Sequence, residues 1–173
     1  MDRLAPLGAP DAPFGALADF TYLEAVVSEA LRLYPPVPML MREAAQDWDL
    51  AGEPGWRIPA HSFVVVPVFA IGRDPAVWGP DVAEFRPERW LGHGKGGVNK
   101  HAVLGFGAGG RACIGKRFAV EEAKLALIHL FQRLTFGPHA TTPVPLPLQA
   151  GVTLAPKQPF VLVASVREGR GLR

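Results

Sequence analysis

The chain has 173 residues, 49% hydrophobic and 20% charged, so it is long enough for one domain and apolar enough to bury a core. Its formal net charge is +2, and no block of like charges exists, so we expect no nucleic-acid partner and no polybasic membrane patch. Its 18 prolines and 19 glycines predict many turns and irregular segments.

The N-terminal segment, residues 1–18, is predicted to be a poorly ordered lead-in, because it is rich in Ala, Pro and Gly and shows no period. Residues 19–173 form the predicted domain. The first residues lack the apolar run of a signal peptide, and no stretch approaches the roughly 20 apolar residues of a membrane span. As written, the chain is expected to be soluble, with neither a signal nor an anchor.

Three elements are predicted in the first half of the chain. Apolar residues recur at helical spacing over residues 20–34, and Pro35-Pro36 ends the run, so an amphipathic helix is expected. Residues 62–67 are an apolar run between turn residues and are expected to be a buried strand. Asp74 followed by Pro75 predicts a short helix, because these residues suit the N-cap and the first helical position.

The second half of the chain begins with an irregular stretch from about residue 79 to residue 105. Loops of this length are uncommon in compact domains and are usually functional. A long helix is predicted over residues 114–134, with an apolar stripe on one side and charged side chains, Lys124 among them, facing solvent. Two short strands are expected in the tail, over residues 152–154 and 160–165.

The glycine-rich loop before the long helix, residues 105–110, admits rival interpretations. Its G-x-G-x-x-G spacing fits a dinucleotide loop, but no acidic residue follows at the roughly 20-residue distance that a ribose contact requires. Residues 110–116 nearly fit a phosphate loop, but Arg117 stands where Ser or Thr must reach magnesium. Cys113 is the only cysteine, which excludes a disulfide framework and a paired-cysteine zinc site. It is a buried inert thiol, a nucleophile or a single thiolate ligand.

The neighbours of Cys113 favour the ligand. A thiol between glycines and a helix N-terminus meets unpaired N–H groups and the positive end of the macrodipole, which favour the thiolate that binds metals. Gly107 and Gly109 let the backbone approach a flat ligand closely. Arg111 is placed to pair with a carboxylate, and Phe106 to shield the sulfur from water. Together these residues predict a thiolate ligand beneath a flat, anionic cofactor.

Three motifs, in this order along the chain, resemble those of the cytochrome P-450 monooxygenases. Glu29-Ala-Leu-Arg32 is similar to the E-x-x-R of the family's K helix. Phe85-Arg-Pro-Glu-Arg89-Trp is similar to its P-E-R-F segment. The glycine-rich loop resembles the family's heme-binding signature and fills every defining position of it: Phe106-x-x-Gly109-x-Arg111-x-Cys113-x-Gly115.

The resemblance implies a heme b site in the loop. Cys113 would be the catalytic residue and the axial thiolate ligand of the iron, and Arg111 and Arg42 would each bind a heme propionate. Val37 to Leu40 would line the substrate pocket beside the heme, for which plain core packing is the alternative. The other loop positions would also contact the heme: Phe106, Gly107, Gly109 and Gly115.

The resemblance also implies a structural network outside the heme contacts. Glu29 and Arg32 share one face of the K helix because they are three residues apart. Arg89 would join them from the irregular stretch and lock that stretch against the helix. Losing any of the three would prevent heme incorporation, because it would leave an uncompensated buried charge.

The implied fold is mainly α with small β-sheets and corresponds to the C-terminal part of the cytochrome P-450 fold, from the K helix through the Cys loop and L helix. The implied activity inserts one oxygen atom from O2 into a small organic substrate. Electrons would come from an NADPH-dependent reductase or a ferredoxin-type donor, an acidic partner facing Lys100, Lys116 and Arg117. Residues 121–127 and 151–157 resemble microsomal members, which would place the parent enzyme at the endoplasmic reticulum membrane.

The resemblance covers only the last third or so of a typical family member. The I helix, with its acid–alcohol pair, has no counterpart, so the chain would offer only the proximal face of a heme and would be poorly stable alone. A fragment or partial gene model of a monooxygenase is expected, with a short natural product as the alternative. Two other functions stay open: a non-catalytic heme-binding module, and a heme-thiolate isomerase or dehydratase.

Overall fold

A computed structural model describes residues 20–52, 54–92 and 98–167, and the predicted lead-in over residues 1–18 lies outside them. The described helices are α1 (Thr21–Leu33), α2 (Val68–Ile71), α3 (Pro75–Trp78) and α4 (Lys116–Arg133). Short 3-10 turns lie at Pro87–Trp90, Lys100–Ala102 and Gly109–Arg111. The strands are β1 (Leu40–Glu43), β2 (Trp48–Asp49), β3 (Arg57–Ile58), β4 (Phe63–Val66), β5 (Leu134–Pro138), β6 (Leu148–Ala150), β7 (Leu154–Pro156) and β8 (Leu162–Val166).

The strands within these ranges pair as four two-stranded antiparallel sheets: β1 with β4, β2 with β3, β5 with β8, and β6 with β7. Four helices and small antiparallel sheets in the described residues are compatible with the expected class. Among the helices of the described residues, none combines the length and the apolarity that crossing a membrane requires.

Helix α1 confirms the predicted amphipathic helix. Its buried side combines the apolar residues Ala25 and Leu33 with the charged residues Glu29 and Arg32. The helix ends just before Pro35-Pro36, because proline has no N–H to continue the ladder and restricts the residue before it. The buried charges distinguish α1 from an ordinary core helix, whose buried stripe is apolar.

The short helix α3 forms with the predicted cap. Asp74 Oδ1 accepts a hydrogen bond from Ala76 N at 2.9 Å, and Pro75 occupies the first helical position. Just before it, the chain passes very close to α1: a Cβ placed on Gly72 would lie 2.3 Å from the carbonyl oxygen of Arg32. Only glycine therefore fits at position 72 without a backbone shift.

The strand predicted over residues 62–67 forms as β4, but the expectation that it is buried is wrong. Phe63 is 70% exposed and Val65 is 48% exposed, while the alternate residues Val64 and Val66 are half-buried. Strand β4 pairs with β1 alone in the described part of the chain, and one face of this two-stranded sheet is open. An apolar run does not by itself report whether a second layer covers the sheet.

The predicted long helix forms as α4, two residues shorter at its N-terminus than expected. The expectation that Lys124 faces solvent is wrong: Lys124 is 1% exposed, and its Nζ lies 3.0 Å from Glu121 Oε1. A carboxylate one turn away compensates the ammonium, so the lysine can be buried. Two residues of the predicted apolar stripe, Leu130 and Phe131, are instead exposed.

The tail contains the second predicted strand but little of the first. The strand expected at 160–165 is found as β8, antiparallel to β5 with Phe136 opposite Ala164. The strand expected at 152–154 is mostly a bend, and β7 begins only at Leu154.

Candidate functional site

A buried ionic network joins α1 to the irregular stretch after α3. Glu29 is fully buried, and its carboxylate accepts five hydrogen bonds. Oε1 accepts from Arg32 Nη2 at 2.8 Å, from the Arg86 backbone N–H at 2.9 Å and from Arg89 Nε at 2.8 Å. Oε2 accepts from Arg32 Nε at 2.8 Å and from Trp90 Nε1 at 2.9 Å. The structure thus brings together Glu29, Arg32 and Arg89, as expected.

Arg32 ties the same network to the backbone of the neighbouring segment. Its Nη1 donates to the carbonyls of Gly72 (2.6 Å) and Val82 (2.8 Å), and its Nη2 also donates to the carbonyl of Glu84 (3.0 Å). With the two bonds to Glu29, all five N–H donors of the guanidinium are used. Arg32 therefore fixes two turns of irregular backbone against α1.

The hydrogen bonds donated to Glu29 stabilise its ionised form. Burial would raise the pKa of this carboxyl, but the hydrogen bonds from Arg32, the Arg86 amide, Trp90 and Arg89 outweigh it and lower the pKa from 4.5 to about 2. The folded state thus favours the ionised carboxylate more strongly than the unfolded chain does.

This depressed pKa makes the stability of the chain depend on pH. A carboxyl with a lower pKa in the folded state stabilises above its unfolded pKa, and the contribution is lost as the pH falls through the folded pKa. From the shift of Glu29 from 4.5 to about 2, we expect the unfolding free energy to fall by about 3 kcal/mol between roughly pH 5 and pH 2. Urea unfolding at a series of pH values measures this pH dependence. Glu29→Gln is the control, because it lacks the carboxyl group that causes it.

The loop that carries Cys113 is closed by its own backbone. Cys113 N donates to Phe106 O at 2.8 Å, and Ala112 N donates to Gly109 O at 3.1 Å. Gly107 and Gly109 have φ of 71° and 66°, a region that side chains other than glycine rarely adopt. The loop therefore needs these two glycines for its shape, as well as for the space that they leave.

Cys113 is an exposed free thiol. It lies three residues before the first residue of α4, further from the helix N-terminus than a helix beginning at residue 114 would place it. Phe106 is half-buried and does not by itself cover Cys113. A side chain at Gly115 would contact the sulfur, because a Cβ there would lie 3.9 Å from Sγ.

The two candidate propionate ligands lie on different elements. Arg111 is exposed at the end of a 3-10 turn, and no described residue forms an ion pair with it. Arg42 is exposed on β1, where its Nη1 donates only to the neighbouring Met41 carbonyl at 2.7 Å. Leu40 shares a face of β1 with Arg42, and its Cδ1 would lie 4.0 Å from a Cβ at Gly107. The face of β1 that bears Arg42 thus borders the Cys113 loop.

These residues fit a heme. No described residue lies within 4 Å of a Cβ built on Gly109 or Gly110, so the loop leaves open space at these two positions. Within the described ranges no group of three or more His, Cys, Asp or Glu side chains could hold a metal ion. A lone soft thiolate suits an iron whose other ligands come with the macrocycle, and the two exposed guanidinium groups suit its carboxylates.

Two residues of the network were missed by the sequence reasoning. Trp90 donates its indole N–H to Glu29, and Trp78 lies beneath the Arg32 guanidinium at 5.3 Å and donates its own N–H to Ile71 O. The available signal was the tryptophan directly after Arg89, because a buried indole N–H requires an acceptor.

The expected electron-donor face is only partly described. Lys116 and Arg117 are exposed at the start of α4, near the Cys113 loop in sequence. The side chain of Lys100 lies outside the described residues. Their role toward an acidic partner stays a prediction.

Comparison with known proteins gives one consistent result. The family described as Cytochrome P450 matches residues 10–163 of the chain. The chain is 40% identical over 156 residues to Cytochrome P450 3A12 of Canis lupus familiaris and 42% identical over 156 residues to Cytochrome P450 3A29 of Sus scrofa, covering 90% of this chain and 30% of each relative. It is 37% identical over 167 residues to Cytochrome P450 3A19 of Capra hircus aegagrus, covering 96% and 74%. The chain spans about a third of the length of the first two relatives.

Proposed function

Because the chain belongs to the cytochrome P450 family, we propose that it is the heme-thiolate part of a monooxygenase, with Cys113 as the axial ligand of the heme iron. The observation that supports this most is the exposed thiol of Cys113 in a glycine-shaped loop with open space beside it. The side chain of Cys113 is exposed, so its thiol is accessible, as a heme ligand requires.

The other loop residues have separate tasks in this proposal. Gly109 and Gly107 keep the backbone flat enough for the heme to approach, and Gly115 leaves the sulfur unobstructed. Arg111 and Arg42 bind the two propionates with charge-assisted hydrogen bonds. The heme, when bound, supplies the chemistry that inserts one oxygen atom from O2 into an organic substrate, and thiolate ligation favours O–O cleavage.

The network of Glu29, Arg32 and Arg89 does not take part in that chemistry. It holds the irregular stretch against α1, and α1 in turn lies against the start of the Cys113 loop. The contact is close: a Cβ at Gly105 would lie 3.2 Å from Leu31 Cβ. This order of motifs corresponds to the C-terminal part of the family's fold, with α1 as the K helix and α4 as the L helix.

The parent enzyme needs a second half of the heme pocket, an electron donor and a substrate. We assign the exposed cations Lys116 and Arg117 to the donor side, because an acidic donor would be attracted to them. The substrate would be a small organic molecule that residues 37–40 would help to hold beside the heme.

Heme titration of the 173-residue chain tests the proposal. We expect saturable binding, and we expect Arg111→Gln to weaken it by roughly tenfold, because one charge-assisted contact to a carboxylate is lost. Arg57→Gln is the matched control: it removes the same charge from an exposed arginine that pairs with Asp47 in the β2–β3 region. Absence of saturable binding would contradict the proposed function, and equal affinities for the two variants would contradict the assignment of Arg111.

A further inference from the structure

We propose that Trp90 is a positioning residue of the heme site: its indole N–H holds Glu29 Oε2 and thereby keeps α1 and the Cys113 loop in register. The proposal rests on the proposed function for its consequence toward heme. The other part of the proposal, the coupling of Trp90 to the Glu29 carboxylate, depends only on contacts within this chain.

The two oxygens of Glu29 are not equally supported. Oε1 accepts three hydrogen bonds, whereas Oε2 accepts from Arg32 Nε and Trp90 Nε1 only. The Arg32 guanidinium uses every other N–H elsewhere, so it cannot offer Oε2 a second donor. Without the indole N–H, Oε2 would keep one of its two partners.

Phenylalanine stands at this place in the P-E-R-F pattern that the segment resembles, and it could fill the space but not donate. The tryptophan here adds a fourth side chain to a network that the motif alone describes with three. Trp90 is half-buried and packs against Trp78 with the ring centroids 5.7 Å apart. The indole is thus fixed by packing, and its N–H can only serve the one carboxylate oxygen.

A cavity connects this indole to the Cys113 loop. Its volume is about 240 Å³, and Trp90, Trp78 and Arg32 line one side of it. The loop residues Leu104, Gly105 and Phe106 line the cavity as well. Phe106 O is the acceptor of the Cys113 N–H. Because the indole and the loop residues line the same cavity, a change in the tilt of the indole or in the position of Glu29 is expected to displace the loop.

Several charged groups near Glu29 also influence how the stability of the chain depends on pH. On α1 it faces Arg32, and on the 3-10 turn at 87–90 it faces Arg89, whose Nη1 lies 3.6 Å from Asp81 Oδ1. Lys116 of α4 and Glu24 of α1 line the cavity that Arg32 and Trp90 also line. These groups remain in place when Trp90 is changed, so a difference between variants reports the indole.

Two matched variants test the proposal in the heme-free chain. Trp90→Phe and Trp78→Phe each remove one indole N–H from the same aromatic pair, but Trp78 donates to the neutral carbonyl of Ile71. We expect Trp90→Phe to raise the midpoint of acid unfolding by about one pH unit more than Trp78→Phe does, because only Trp90→Phe removes a hydrogen bond to the ionised carboxylate. Parallel acid profiles of the two variants would overturn the coupling.

A measurement on the unmodified chain keeps the test independent of folding defects. In ¹⁵N-tryptophan-labelled protein, the Trp90 indole resonance is expected to shift as Glu29 titrates, and the Trp78 resonance to stay still. A Trp90 resonance without this titration would also overturn the proposal.

The consequence for heme is read separately. We expect heme-loaded Trp90→Phe to release heme at least fivefold faster at pH 5 than heme-loaded Trp78→Phe does. The decay of the heme absorbance measures the rate of release. Equal release would overturn the positioning role. Failure of the unmodified chain to bind heme would contradict the proposed function instead and would leave the acid profiles valid.

Discussion

Glu29→Gln is expected to destabilise the chain by about 3–5 kcal/mol at pH 7, because it removes the carboxylate that pairs with the buried guanidinium of Arg32 and the nearer of the two that pair with Arg89. The variant keeps the size of the side chain. However, an amide N–H₂ would replace one of the oxygens, each of which accepts at least two N–H donors in the native chain. Such a loss is a large part of the roughly 5–15 kcal/mol that stabilises an ordinary domain.

Urea unfolding at pH 7 measures this effect, with Glu24→Gln as the control. Glu24 lies on the same helix and is exposed, so its neutralisation is expected to cost less than about 1 kcal/mol, mainly from the helix dipole. The deficit of Glu29→Gln relative to the native chain should shrink toward pH 2, because the native carboxyl, whose pKa is about 2, becomes partly protonated there. A Glu29→Gln variant as stable as Glu24→Gln would contradict the structural role of the network.

Cys113→Ala is expected to remove thiolate ligation completely while changing the unfolding free energy of the heme-free chain by no more than about 0.5 kcal/mol. The reason is the exposure of the side chain, which makes no packing contribution to the described fold. A core cysteine would behave differently, because its truncation would destabilise the chain. Absorption spectra of the heme-loaded variant measure thiolate ligation, and urea unfolding of the heme-free variant measures the unfolding free energy.

His101→Ala is the control for Cys113→Ala. His101 is exposed in the 3-10 turn Lys100–Ala102, shortly before the Cys113 loop, and it is the described histidine closest to that loop in sequence. The variant should keep the thiolate spectrum. If His101→Ala removed the ligand band and Cys113→Ala kept it, the assignment of the axial ligand would be wrong.

Local patterns predicted the parts of the fold that depend on neighbours in sequence. Helix α1 follows from its period and from Pro35-Pro36, and α3 follows from Asp74 and Pro75, because periodicity and capping act within a few residues. The pairing of Glu29 with Arg32 is equally local, being one helical turn. Its completion by Arg89, 60 residues later, came from the resemblance and not from any local signal.

The expectations that failed depended on what covers a surface. Lys124 is buried because α4 places it against the rest of the chain and Glu121 compensates it, which a helical period does not show. Phe63 and Phe131 are exposed, although their apolar patterns predicted a buried strand and a buried stripe. A hydrophobic pattern identifies the apolar face of an element, but only the surrounding structure shows whether another element packs against that face.

Trp90 shows a different reason why the site was incompletely predicted. Its role depends on the position of one N–H relative to an oxygen 61 residues away in sequence. The sequence motif specifies an aromatic ring there, and both Phe and Trp satisfy that requirement. The hydrogen bond exists only once α1 and the 3-10 turn at 87–90 are packed together, so a spacing rule could not reveal it.

The most direct test of the central claim is the absorption spectrum of the heme-loaded chain, reduced and exposed to carbon monoxide. Because Cys113 is the only cysteine, a thiolate band can come from no other residue of this chain. We expect the band characteristic of thiolate ligation in the native chain and its loss in Cys113→Ala. A band characteristic of histidine ligation in freshly prepared, folded native chain would contradict it.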